Sequence, residues 1–308
     1  MLVLDEAAVR RHLHLPELIA ALAPALAAFS SGDAVQPVRL VMPVAAHRGF
    51  LGAMPAYTGA LGAKLVTFYP ANQGVPTHHA LIVLFRPETG EPIAVMDGRL
   101  VTELRTAAAS AIATDLLARP NAATLCLLGA GVQAASHLEA LRLVRRFTEV
   151  RVWSPRHAAE FAARHGVTAT ASAEAAVRGA DVVVVATSSA VPVLDGAWLA
   201  DGAHVNAIGA CRPDWRELDD ATIRRARLIV DSRDAALVES GDVRAASAIA
   251  AELGAVISDP ALGRTDPRQV TLFKSLGLAV EDVVAADLVY RAALSEHGPV
   301  GAEGGPAS

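Results

Sequence analysis

At 308 residues the chain is long for one core and suits two domains, and its 53% hydrophobic and 19% charged content is that of a well-buried globular protein. A net charge of −5, with no basic stripe carrying interleaved aromatics, argues against a nucleic-acid partner. Two cysteines, Cys126 and Cys211, give neither a disulfide framework nor a Cys-x-x-Cys pair and suit a reducing compartment.

Met1 to Glu6 carries acids where a signal peptide needs positive charge. The apolar stretch Leu18–Phe29 is short for a bilayer and is broken by Pro24. A cytoplasmic protein with no membrane partner is expected. Residues 5–29 read as helices, with Asp5 as an N-cap. From Val35 to Val95, prolines punctuate short β-type runs, among them Lys64–Tyr69 and Ala80–Phe85. This predicts an antiparallel or mixed sheet, with Asp97-Gly98 as a turn between two runs. Thr106–Ala118 reads as an Ala-rich helix stopped by Pro120, which would place Arg105 at a helix start.

Strand and helix signals then alternate. Strands are predicted at 124–128, 149–153, 181–186, 203–208 and 227–231, which would complete the series. Helices follow the first two strands, and a last one spans about 280–295. Such alternation means a parallel, doubly wound sheet. The Gly/Pro/Ala tail 298–308 is expected to be disordered.

The most telling segment is Leu125–Ala134, a short apolar run ending in Gly129-Ala130-Gly131-Val132-Gln133-Ala134. In a strand–turn–helix, Gly129 permits the tight turn and Gly131 lets backbone approach a pyrophosphate, while Ala134 lets the helix lie close on the strand. The helix N-terminus then offers unpaired N–H groups to an anion. The alternative is a tight turn without a ligand. At the tip of the next strand, where an NAD site places an acid, the chain has Ser154-Pro155-Arg156-His157. A guanidinium suits a 2′-phosphate, so NADPH is favoured and NADH stays admissible. Otherwise Arg156 only begins a solvated helix face. His78-His79 is a poor metal pair, because neighbours on a strand point to opposite faces.

The chain resembles the ornithine cyclodeaminase/mu-crystallin family, and specifically its mu-crystallin (ketimine reductase) branch. The segments that carry the resemblance are Gln36-Pro37-Val38-Arg39, His47–Tyr57, Lys64–Tyr69, Ala94–Gly98, Arg105–Ala108, the glycine turn, Arg212–Asp220, Glu239–Val243 and Phe273–Gly277. It implies a Rossmann dinucleotide-binding domain at 113–277 and an α+β substrate and dimerisation domain at 1–112 plus 278–308, assembled as a homodimer. It assigns Arg39, Lys64 and Arg105 to the substrate carboxylate, with Glu239 beside them. It sets Thr77, His78, Arg105, Thr187, Ser188, Ile208 and Ser275 near the cofactor, with ordinary strand-end packing as the alternative for the last four. Three cations set among apolar residues fit that assignment, since they are costly to bury without an anion. Ion pairs with Glu103, Asp97 or Glu17 are the alternative.

The chain departs from cyclodeaminases at two places. Cys211 stands where those enzymes carry Asp, and Gly52 where they carry Glu. Without those acids the site has little to hold a diamine or act as base on its nitrogen. The implied reaction is NAD(P)H-dependent reduction of a cyclic imino acid, Δ1-pyrroline-2-carboxylate or Δ1-piperideine-2-carboxylate, with Cys211 as a small wall residue. Alternatives are ornithine cyclodeamination, alanine-type oxidoreduction, or an NADPH-bound binding protein without turnover.

Overall fold

Two β-sheets organise the chain, which is described as a computed structural model over residues 1–297. The tail whose disorder the composition suggests lies outside the described residues. The first sheet holds β1 (Leu2–Leu4), β2 (Leu40–Val44), β3 (Gly49–Thr58), β4 (Ala60–Phe68), β5 (His78–Phe85) and β6 (Pro92–Asp97). Its order is β1-β6-β5-β4-β3-β2, antiparallel except for the β1–β6 pair. The alternation of its strands sends Met54, Lys64, Ile82 and Met96 inward along one row, all buried. The same register sends Leu40, Ala53, Leu65 and Leu81 outward, where Leu40, Leu65 and Leu81 are exposed.

The inward face is covered by α1 (Glu6–His12), α2 (Leu15–Ser31), α3 (Arg99–Leu117) and the C-terminal helix (Ala279–His297). Asp5 caps α1 as the sequence suggests, accepting from the Ala8 N–H. Leu18, Leu22 and Leu26 of α2 are buried in this core, and no single helix among the described residues is long and apolar enough to cross a membrane.

The second sheet is parallel and reads β13-β12-β14-β11-β10-β7-β8-β9. Its strands are β7 (Thr124–Leu128), β8 (Glu149–Trp153), β9 (Thr168–Ala169), β10 (Val182–Val185), β11 (His204–Ala207), β12 (Ala226–Val230), β13 (Ala251–Glu252) and β14 (Val270–Lys274). After β7 the chain winds one way through β8 and β9, then returns to the other side at β10. The switch point therefore lies between β7 and β10, where α/β folds bind their ligands. α4 (Val132–Val144) follows β7, and α5 (Ala158–His165) follows β8.

Three expectations need correction. Asp97-Gly98 does not join two strands; it starts a helix. Asp97 accepts from the backbone N–H groups of Arg99 and Leu100, so α3 begins seven residues before Thr106. Arg105 therefore lies inside α3, not at its start. The parallel series also does not end at β12, because β14 inserts between β11 and β12. Its final lysine, fully buried, makes the run look like a solvent-bound end.

α3 runs unbroken through 112–113 and contributes to both sides. Ala108, Ala109 and Ile112 join the core of the first sheet, while Ala107 and Ala111 join that of the second. Buried polar pairs stitch the same contact: His137 of α4 meets Ser110 at 2.9 Å, and Asn206 of β11 donates to Thr114 at 2.8 Å. Burial pushes His137 down to about 4, so it folds neutral. An unfolded histidine takes its proton near 6.5, so acidification favours the unfolded chain. The stability advantage of wild type over His137→Gln should therefore shrink by about 1.4 kcal/mol per pH unit as pH falls from 6.5 toward 4. Urea unfolding of both proteins across that range measures it.

Candidate active site

The glycine turn sits at the switch point. Gly129 has φ of 115°, and a Cβ there would overlap the carbonyl oxygen of Ala186 at the end of β10. Only glycine allows the two strand ends to approach so closely. A Cβ on Gly131 would meet nothing within 4 Å, and as N-cap of α4 it offers no side chain to the helix amides. That leaves a bare helix N-terminus facing open space, which fits a pyrophosphate. Val132 is exposed beside it, Gln133 is half-buried, and Ala134 is fully buried against the sheet. At the β8 tip, Ser154 Oγ accepts from the His157 N–H at 3.5 Å, and Arg156 is exposed.

The three predicted cations converge from separate elements. Lys64, on the inward row of β4, is 2% exposed and lies 2.6 Å from Asp282 of the C-terminal helix. Arg105 donates through Nε to Asp282 at 3.0 Å and through Nη1 to Glu281 at 2.7 Å. Arg39 pairs with Glu239 at 2.9 Å and donates Nη2 to the carbonyls of Leu276 and Gly277. The ion-pair alternative thus holds in kind but not in partner: Glu103 pairs with Arg99, and the acids facing the trio are Asp282, Glu281 and Glu239. Among the described residues, Arg105 Nη2 and Arg39 Nη1 hold no protein hydrogen bond. They remain available to an incoming anion.

The Gly277 turn gathers these groups. Its φ is 81°, and the Arg105 guanidinium occupies the place a Cβ would take. Asp231 Oδ2 accepts from the N–H groups of Leu276 and Gly277, each at 2.6 Å. Gln36 caps the C-terminal helix by accepting from the Val280 N–H at 2.8 Å. The segment Gln36–Arg39 therefore grips the turn from one side, and Asp231 from the other.

Electrostatics follow from burial. The Lys64 ammonium is pulled down to about 8 by burial, with Asp282 opposing and Arg105 adding to the fall. Burial also raises the Asp282 carboxyl, but Arg105 and Lys64 outweigh it and hold it below its ordinary range. Glu281 is pushed up to about 7 by burial, which Arg105 only partly offsets. His78 is driven down to about 4 by burial, with Lys64 and Arg105 adding to the fall, so it is neutral here. His79 points the other way and is exposed, as the strand alternation requires, while Thr77 is exposed beside them.

At the carboxyl ends of β10 and β11, Thr187 donates its N–H to Glu217 at 2.8 Å and its hydroxyl at 2.5 Å. Ser188 is exposed. Lys274, fully buried, donates to the Gly209 carbonyl and pairs with Asp242 at 3.1 Å. Ile208 and Ser275 are buried, and the Ser275 hydroxyl has no partner. Cys211 is accessible at the recess wall and donates to the Ile208 carbonyl at 3.4 Å. Surrounding protein pushes its thiol up, against the pull of Lys274 and Arg39, so it is a poor nucleophile. Gly52 faces inward two register positions from the Met54–Lys64 pair, and a Cβ there would press on Val66 at 3.0 Å.

Sequence reasoning missed Asp282, Glu281, Asp231 and Glu217 as site residues. The signal was present in Leu278–Ala286, where two adjacent acids interrupt an apolar run.

A glycine turn opening a bare helix N-terminus at the switch point of a Rossmann sheet, beside a recess where three cations meet buried acids, defines a dinucleotide-dependent oxidoreductase. The profile of the ornithine cyclodeaminase/mu-crystallin family matches residues 1–297, and the chain belongs to that family. The ketimine reductase mu-crystallin of Mus musculus is 52% identical over 296 residues, covering 92% of this chain and 94% of that protein. The solved Δ1-pyrroline-2-carboxylate reductase of Thermococcus litoralis, in complex with NADH and L-proline, superposes with a TM-score of 0.92 at 36% identity, covering 96% of this chain and 98% of that one. An archaeal alanine dehydrogenase dimer with bound NAD gives 0.90 at 35% identity, covering 97% of each chain.

Removing one partner of a buried charge pair leaves the other uncompensated. Asp282→Ala should therefore cost about 3–5 kcal/mol of stability. Urea unfolding midpoints against wild type measure this loss.

Proposed function

We propose that this chain reduces a cyclic imino acid, Δ1-pyrroline-2-carboxylate or Δ1-piperideine-2-carboxylate, to proline or pipecolate. The observation that carries this reading is the convergence of Lys64, Arg105 and Arg39 on the Gly277 turn, beside the strand ends that face the glycine turn. In this reading the free donors of Arg105 and Arg39, with Lys64, hold the substrate carboxylate. Donors from two guanidinium groups and an ammonium, reaching the carboxylate from separate elements, then fix its plane and that of the ring. NADPH is the preferred donor and NADH the lesser one, held by the backbone of Gly129–Gln133, by Ser154 and Arg156, and by the Thr77–His78, Thr187–Ser188, Ile208 and Ser275 walls. When bound there, the nicotinamide supplies a hydride to the C=N carbon. Neutral His78 adds no charge that would repel an iminium. Cys211 and Gly52 leave the reacting end without a carboxylate, which disfavours cyclodeamination of a diamine.

The tests are direct. NADPH oxidation by purified protein should be fast with the two cyclic imino acids and slow with open-chain ones. Ammonia release from ornithine with NAD should be negligible, and strong release would reassign the reaction. Arg156→Ala should raise KM for NADPH about ten-fold while leaving KM for NADH nearly unchanged.

We further assign 1–112 plus 278–308 to substrate binding and dimerisation, 113–277 to the dinucleotide, and the protein to the cytoplasm as a homodimer. The outward face of the first sheet supports a self-interface, since Leu40 on β2, Leu65 on β4 and Leu81 on β5 lie exposed in one cross-strand row, with Ala53 of β3 between the first two. Leu65→Asp combined with Leu81→Asp should convert a dimer mass to a monomer mass in light scattering after size exclusion.

A further inference from the structure

Three cations, Arg39, Lys64 and Arg105, face four carboxylates, Glu239, Asp231, Glu281 and Asp282. His78 on β5 adds no charge. The recess is therefore not cationic in sum before any ligand enters. Adding a substrate carboxylate without a proton would leave two uncompensated negative charges among buried groups, at a heavy desolvation cost.

The four acids are not equally able to take up that proton. Asp282 uses one oxygen on Arg105 and the other on Lys64. Asp231 accepts from Leu276 and Gly277 with one oxygen and from Ser232 with the other. Both oxygens of Glu239 lie against Arg39 Nε. Glu281 binds Arg105 through Oε2, and its Oε1 is buried with no partner.

We propose that Glu281 is the charge-balancing group of this site, taking a proton at Oε1 when an anionic ring carboxylate binds to Lys64, Arg105 and Arg39. The proposal rests on the carboxylate role given to those three residues. No bond is made or broken in the ligand; one proton passes from solvent to the carboxylate, and Arg105 keeps its bond to Oε2. Glu281 is a positioning residue, acting through Arg105. Because its carboxyl is already raised to about 7 and Lys64 is lowered to about 8, both titrate near neutrality, and the experiment must separate them.

Furan-2-carboxylate has the ring and the carboxylate but no ionisable nitrogen, so any proton taken up belongs to the protein. Its binding to the NADP+-loaded protein, followed by titration calorimetry in buffers of different ionisation enthalpy, should show proton uptake at about pH 7.5 and little at about pH 6. Affinity should weaken about twenty-fold from pH 6 to pH 8 in wild type, about ten-fold from one group titrating near 7 and about two-fold from Lys64 near 8. In Glu281→Gln the change should shrink to about two-fold, the share of Lys64. Unchanged uptake and pH dependence in Glu281→Gln would overturn the proposal. A measurement on wild type alone serves if the variant fails to fold: the infrared difference between bound and free protein at pH 8 should gain a protonated-carboxyl band, and its absence would also overturn the proposal. If furan-2-carboxylate does not bind while NADP+ does, the carboxylate role of the three cations fails first, and the proposal with it.

Discussion

The buried charge cluster of Lys64, Arg105, Glu281 and Asp282 is the interaction on which the rest of the arrangement depends. A lysine on the inward row of a sheet and an arginine within a core-spanning helix are individually prohibitive. They become tolerable because the C-terminal helix returns two adjacent acids to them from more than 170 residues away. The end of the chain is thus needed to neutralise its first third. The start of the C-terminal helix is explained by that duty: its first turn is electrostatic, and beyond it Val283, Ala286 and Val289 pack into the core of the first sheet.

The same cluster sets the position of the recess relative to the parallel sheet. Gly277 lies three residues past β14, and its amide, carbonyl and Cα face are each taken by a different group, from Asp231, Arg39 and Arg105. Lys274, at the end of β14, reaches across to the Gly209 carbonyl, which fixes the loop leading to Cys211. The end of β14, the loop at Gly209 and the cluster of Arg39 and Arg105 are therefore related by contacts within one short segment, 274–277, not by a flexible linker.

The parallel strands were legible in the sequence because they are short apolar runs between helical patterns. Those at 124–128 and 149–153 match the structure residue for residue. β14 was not legible, since its terminal lysine reads as solvent-facing until Asp242 and Gly209 are seen to bury it. The start of α3 was misread because Asp97-Gly98 serves equally well as a hairpin turn and as a helix cap; only tertiary pairing decides between them. In the site, residue types were readable, and the resemblance set Glu239 beside them, but the acids that pair Lys64 and Arg105 were not. Arg39, Lys64 and Arg105 stand out as cations in apolar settings, whereas their counter-charges come from segments that no local pattern connects to them. The family is documented independently by the profile match over residues 1–297.

α3 has a further consequence. Its small side chains are divided residue by residue between the two cores, with Ala108 on one side and Ala107 on the other. Loosening either sheet strips apolar cover from the helix that the other sheet also needs. The free energy of unfolding is therefore a property of the whole chain, and the cooperative unit is larger than either sheet. The core that Ala107 and Ala111 share also holds Ala134, which closes the glycine turn on the sheet, so one helix lies under both the first sheet and that turn.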